Sequence, residues 1–194
     1  EGYITLTTHN ATAQRTNQNK LESLVGKSYF FTAEVKNEFP EYMYPTEQEL
    51  EMKVNAQVMF VKNDISKEKL FYNGKIGQIT RIADGVIYVK CPGDYAEIPV
   101  GIAEWQNIRY KLNEETKEIT EEVIGSFLQY PLKLAWAITI HKSQGLTFER
   151  AIIDAGASFA HGQVYVALSR CKSFEGVVLR SPIVSNSVKT DRTI

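Results

Sequence analysis

An α/β fold carrying a separate all-β part is what this 194-residue sequence predicts, and three observations predict it. Three short apolar runs, at 132–140, 148–153 and 176–179, are bounded by polar residues and rich in β-branched or aromatic side chains, the pattern of buried strands. GQVYVALSRC (162–171), between the last two, has the apolar spacing of a helix. Residues 54–129 instead carry five or six short strand-like runs separated by tight turns, which predicts a small closed β-barrel inserted into the α/β part. The expected domains are therefore 1–53 with 130–194, and 54–129 between them.

The opening residues read as strand, turn and helix. Tyr3 to Leu6 is apolar and β-prone, and Thr7, Thr8, His9 and Asn10 form a polar break. Asn10 is a suitable N-cap for ATAQRTNQNKLESL, which ends at Gly26. Residues 28–53 read as irregular. Their aromatic-rich run (Tyr29, Phe30, Phe31, Phe39, Tyr42, Met43, Tyr44) lies among Glu34, Glu38, Glu41, Glu47, Glu49 and Glu51, which favours packing at a domain seam over stacking on bases.

In the β-rich part, Val54 to Val61 reads as a strand. Asn73-Gly74 and Asp84-Gly85 are strong hairpin signals flanking KIGQITRI, with VIYVK after the second. EIPV follows, then WQNIRYKL and EITEEVIGSFLQY, joined by a turn at Asn113. Lys62, Lys75, Arg81 and Trp105 are candidate contacts for nucleic acid or a partner. The polar tail SNSVKTDRTI after Pro182 is expected to fray.

The 132–180 stretch carries the chemistry. A polar knot of Thr139, His141, Lys142, Ser143, Gln144 and Gly145 separates the first two apolar runs, and in α/β sheets ligands bind where strands end. On the expected helix, Gln163 and Arg170 are seven residues apart, so they share one stripe about 10 Å long. Val164, Leu168 and Cys171 form another stripe suited to pack on the sheet. A guanidinium at Arg170 can be aimed at an anion, or pair with a carboxylate, or reach water.

AWAITIHKSQGLTFERAIID followed by QVYVALSRCKS closely resembles the last two signature motifs of superfamily 1 DNA helicases of the RecD/Pif-like branch. The TTHN turn after the first strand more weakly resembles the fourth motif. The resemblance implies a RecA-like C-terminal helicase half, with the β-rich insert as an SH3-like barrel. It also implies that Arg170 is an arginine finger for the nucleotide γ-phosphate and that Gln144, Gly145 and Gln163 bind ATP. The single-stranded DNA backbone would be held by Thr8, His9, Asn10, Thr139, His141, Lys142 and Ser143. A developing γ-phosphoryl charge suits a fixed guanidinium, and phosphate oxygens suit a turn of hydroxyls and N–H groups.

Two look-alikes fail. Gly26-Lys27-Ser28 resembles the end of a phosphate loop, but Leu21 stands where the first glycine belongs, inside a helix. Asp154 ends a strand like a magnesium ligand, yet Ala155 follows it where a second acid is needed. The phosphate loop and the Mg²⁺ carboxylates are expected in an N-terminal RecA-like lobe, and a chain beginning at Glu1 is expected to be a piece of that longer polypeptide, inactive as an ATPase alone.

Composition sets the remaining bounds. At 43% hydrophobic and 23% charged this is an ordinary globular sequence, with no run near the ~20 apolar residues of a membrane span. Net charge is −1, but residues 130–180 hold six basic against three acidic side chains, while 28–129 hold 11 against 17. The motif region is thus the basic part of a slightly acidic chain. Cys91 and Cys171, 80 apart, have no metal-ligand spacing, so a reducing, cytoplasmic setting is expected. The full expectation is the C-terminal motor region of an ATP-dependent 5′-to-3′ helicase, its polarity implied by the resemblance alone. The alternative is a nucleic-acid or protein-binding adaptor with a vestigial motor half.

Overall fold

Short aliphatic strands buried on both faces assemble in parallel only when other elements cover them, and that requirement shapes the end of the chain carrying the motifs. A computed structural model describes residues 2–112, 118–154 and 162–183. In chain order these form β1 (Ile4–Thr7), α1 (Asn10–Ser23), β2 (Tyr29–Thr32), β3 (Glu34–Asn37), a 3₁₀ turn (Glu41–Met43) and β4 (Glu49–Met52). β5 (Gln57–Phe60), β6 (Ile76–Ala83), β7 (Val86–Lys90), β8 (Ile98–Val100), β9 (Ala103–Leu112) and β10 (Ile119–Gln129) follow. The last stretch holds β11 (Leu132–Leu134), β12 (Ala137–Thr139), a 3₁₀ turn (His141–Ser143), β13 (Ala151–Ile153), α2 (Gln163–Leu168), a third 3₁₀ turn (Phe174–Gly176) and β14 (Val177–Leu179).

Four strands make one parallel sheet in the order β12-β1-β13-β14. Ile4, Leu6, Ala151 and Ile153 are fully buried in it, and Ile140, Phe148, Val164 and Ala167 pack against them. The expected α/β class is therefore present. α1 follows β1 as expected, but Asn10 is its first helical residue rather than its cap. His9 takes the N-cap position, in extended backbone and without a side-chain cap bond.

The β-rich part differs from expectation. Its strands form an open five-stranded sheet (β11-β5-β6-β7-β8), a three-stranded sheet (β3-β10-β9) and a β2-β4 pair, and no closed barrel is seen among the described residues. Turn signals had located hairpins, but closure depends on which edges meet, and β3 and β11 enter these sheets from outside residues 54–129. Residues 28–53, expected to be irregular, supply β2, β3 and β4. The Asp84-Gly85 hairpin is as expected, with φ of 52° and 73° joining Ala83 to Val86. Asn73-Gly74 makes a turn in the connection between β5 and β6 rather than a two-residue hairpin. β9 and β10 pair as expected, while the turn at Asn113 and the tail from Val184 onward lie outside the described residues.

The apolar run 132–140, read as one strand, is two. β11 pairs antiparallel with β5, and β12 pairs parallel with β1. Between them the backbone changes sheets, and two amide side chains satisfy it. Asn17 of α1 donates to Ala137 O (2.9 Å) and accepts from Ala137 N (2.8 Å). Gln57 donates to Ala135 O (2.7 Å) and Tyr3 O (2.9 Å). Asn17→Ala leaves both polar groups of Ala137 without that partner, so it should cost about 2 kcal/mol. Chemical denaturation would measure this; a change under about 0.5 kcal/mol, the range of ordinary surface substitutions, would show that the junction does not depend on Asn17.

Candidate nucleotide and nucleic-acid interface

The strand ends of the parallel sheet place the polar knot where it was expected. β12 ends at Thr139, and the chain turns at once through His141–Ser143, so the knot sits next to the end of β1, whose Thr7 pairs with Thr139. Two hydroxyls are consumed in building this turn. Ser143 is 0% exposed and donates to Ile140 O (2.6 Å), while Thr139, 4% exposed, accepts from Lys142 N (3.3 Å). Both were expected to contact the strand backbone; both are buried and bonded within the turn, and Thr139 also lines the groove beside it. His141, Lys142, Gln144 and Gly145 are exposed.

A groove of about 880 Å³ opens beside this turn. It brings together Asn10, Thr139, Lys142 and Gln144 from the expected site. Gln14, Arg15 and Gln18 of α1 continue one wall, and Glu47, Glu49 and Glu51 form another. Thr8 and His9 precede α1, with Thr8 Oγ1 2.6 Å from His9 Nδ1. The first turn of α1 contains no acidic residue. Lys133 also lines the groove. Burial pushes its pKa down, Glu47 counters this, and the neighbouring Lys142 adds to the depression. Lys133 and Arg15 were not legible as site residues from sequence, because their joining depends on the turn between β11 and β12 and on the setting of α1.

Arg170 is placed differently from the expected helical stripe. α2 ends at Leu168 with Ser169 as its cap, so Arg170 lies just beyond the helix. It remains beside the knot because Phe148 pairs with Cys171: Phe148 N donates to Arg170 O (2.8 Å) and Lys172 N to Phe148 O (2.9 Å). Its half-buried guanidinium donates to Val166 O (3.1 Å), Leu146 O (3.4 Å) and Ser169 Oγ (3.0 Å). All three acceptors are neutral, and no carboxylate among the described residues pairs with it. Among the described residues the charge is held in place by neutral groups alone. Gln163 begins α2 and is half-buried. Asp154, the magnesium look-alike, forms an ion pair with Arg180 at 2.7 Å.

The remaining candidates are engaged within the β-rich part. Lys75 pairs with Asp94 (2.8 Å), Arg81 lies over the Tyr88 ring and bonds Glu97, and Lys62 lies over Trp105 and donates to Glu104 O. Phe39 and Tyr44 pack with Phe127, as does Trp105. Packing of this kind was expected of Phe39 and Tyr44 but not of Trp105, whereas Phe30 and Tyr42 stay exposed. Among the described residues, no group of three His, Cys, Asp or Glu side chains is placed to hold a metal, and no helix is long and apolar enough to cross a membrane.

The UvrD-like helicase C-terminal domain family matches residues 134–182, the segment containing the knot, α2 and Arg170. The chain is 35% identical over 181 residues to the ATP-dependent DNA helicase PIF1 of Homo sapiens, a match covering 89% of this chain and 26% of that protein. Unliganded Pif1 from Bacteroides sp superposes with a TM-score of 0.89 at 40% identity, covering 97% of this chain and 43% of that one. The Bacteroides Pif1 complex with ADP-AlF3 and single-stranded DNA superposes at 0.74, with 40% identity and coverage of 97% and 42%. A parallel sheet with a motif turn and an arginine beside it at its strand ends, matched in this way, defines the C-terminal region of a superfamily 1 helicase. Within that class the chain belongs to the RecD/Pif-like branch, and it spans about a quarter of the length of its human relative.

Proposed function

We propose that this chain is the C-terminal motor region of an ATP-dependent DNA helicase, working against an N-terminal RecA-like lobe of the same polypeptide. The observation that carries the reading is the adjacency of two features. A groove joins the start of α1 to the exposed part of the HKSQG turn, and a guanidinium that no carboxylate among the described residues pairs with is anchored to the carbonyl of Leu146, which lines that groove. In this reading the absent lobe supplies the phosphate loop, the Mg²⁺ ligands and the attacking water. Arg170 is the arginine finger, and Gln144, Gly145 and Gln163 face the nucleotide. The single strand runs past Thr8, His9, Asn10, His141 and Lys142, where a helix start without a side-chain cap and an exposed ammonium suit phosphates. Nucleotide-driven closing and opening of the cleft moves the strand, with 5′-to-3′ polarity following from the resemblance. The Bacteroides complex with ADP-AlF3 and single-stranded DNA supports the choice of ligands.

Strand binding can be tested on its own. Titration of a fluorescent oligothymidylate at several salt concentrations should give a salt slope that falls by about one in Lys142→Ala, with weakening that does not depend on base sequence. An unchanged slope would remove Lys142 from the phosphate path.

A further inference from the structure

We propose that Leu146 is a positioning residue for the Arg170 guanidinium, linking its setting to the Asn73-Gly74 turn of the β-rich part. This rests on the reading of Arg170 as the arginine finger for the γ-phosphate. Three observations meet at Leu146. Its carbonyl accepts a bond from Arg170 Nη1 at 3.4 Å. Its amide donates to Ser143 O (3.0 Å), so the same residue closes the HKSQG turn. Its side chain is 8% exposed and rests on Gly74, where a Cβ would lie 3.0 Å from Leu146 Cδ2.

The Gly74 turn is itself fixed. Lys75 N donates to Tyr72 O (3.0 Å), Gly74 N donates to Phe60 O (2.9 Å), and Phe60 stacks on Phe71 at 4.3 Å. Met59, Val61 and Ile76 of the β-rich part share a core with Leu146, Ile140 and Phe148 of the motif region. Close-packed contacts of this kind transmit small displacements rather than absorbing them. A shift of the β-rich part against the parallel sheet therefore presses on Leu146. The residue is tied at once to the strand-facing turn and to Arg170. Its side chain reads the position of one part of the molecule, and its backbone sets the catalytic charge in the other.

The test uses the polypeptide that joins this chain to its nucleotide lobe, with ATP and an oligothymidylate. Leu146→Ala should lower kcat for ATP hydrolysis by about tenfold or more, the scale of a small misplacement of a catalytic group. KM for ATP and Kd for the strand should stay within about twofold, and Leu146→Met should restore turnover. Gly74→Ala, which presses on Leu146 from the far side, should also lower kcat. Combined with Leu146→Ala it should add no further fall in kcat, since its methyl then meets only the remaining Cβ at 3.5 Å, an ordinary contact. Backbone strain at the Gly74 φ of 98° would lower stability in either background. Near-normal turnover in Leu146→Ala overturns the proposal, as do parallel changes in kcat, KM and Kd without rescue by Met, or a Gly74→Ala effect undiminished in the double variant. Arg170→Ala in the same series separates the two claims. If it turns over ATP normally, the reading of Arg170 fails and this inference with it. If it is inactive while Leu146→Ala is normal, only the inference fails.

Discussion

Arg170→Ala, in the polypeptide containing both lobes, should lower ATP turnover by about 10³-fold or more while leaving single-strand affinity within about threefold. The separation follows from what the guanidinium touches. It donates to two backbone carbonyls and one hydroxyl, all neutral, and the described residues hold no acid that would be left as an unpaired buried charge by its removal. Neutral hydrogen bonds contribute about 0.5–1.5 kcal/mol each to stability, and these belong to a half-buried side chain. The fold should therefore survive the substitution. What disappears is a permanent charge held at fixed geometry, which matters most when negative charge develops on a transferring phosphoryl group. Arg170→Lys should recover little, because an ammonium cannot reach the Val166 and Leu146 carbonyls and a phosphate oxygen with the same planar fork. Steady-state hydrolysis with saturating oligonucleotide, paired with an anisotropy titration, checks both halves. Near-normal turnover would remove Arg170 from the nucleotide site, and a collapse of strand affinity would assign it to the DNA.

The parts of this molecule that could be read from sequence are those whose information is local. The β1-turn-α1 unit is written in a four-residue apolar run and the polar break after it. The Asp84-Gly85 hairpin is written in two residues that accept positive φ. The HKSQG turn and Arg170 are legible through family resemblance, which carries information that periodicity does not. The failures share the opposite property. The run 132–140 is apolar throughout because both halves are buried, and only the long-range bonds from Asn17 and Gln57 divide it between two sheets. β4 was hidden because Glu49 and Glu51 alternate with buried Leu50 and Met52, giving a short glutamate-rich stretch that reads as loop. The barrel was inferred from turns, yet β11 and β3 join those sheets from flanking segments and leave them open. The site divides in the same way. Lys142 and Gln144 were legible as exposed polar residues, while the internal use of the Thr139 and Ser143 oxygens was not.

Gly176→Ala should be the most damaging small substitution outside the site, at about 3 kcal/mol or more, above the usual range for one added methyl. The reason is contact rather than conformation. An added Cβ would lie 1.9 Å from Glu149 O and 3.0 Å from its carbonyl carbon, so backbone must move. Gly176 is buried at the end of the 3₁₀ turn that delivers the chain into β14, and its neighbour Val177 pairs with Ala151 of β13. Separating those segments strains the pairing of Ile152 with Val178 and of Ile153 with Leu179, and it loosens the core around Phe148 that keeps Arg170 in register. Gly145→Ala provides the contrast. Its φ is 80°, but nothing lies within 4 Å of the added atom, so it should cost only the strain of the left-handed backbone, about 1–2 kcal/mol. For a protein of this size 3 kcal/mol corresponds to a fall in Tm of roughly 6–12 °C. Thermal denaturation of the two variants side by side checks the ranking. If Gly145→Ala proves the more destabilising, backbone conformation at the HKSQG turn, and not the packing of β14 on β13, dominates the stability of this half of the molecule.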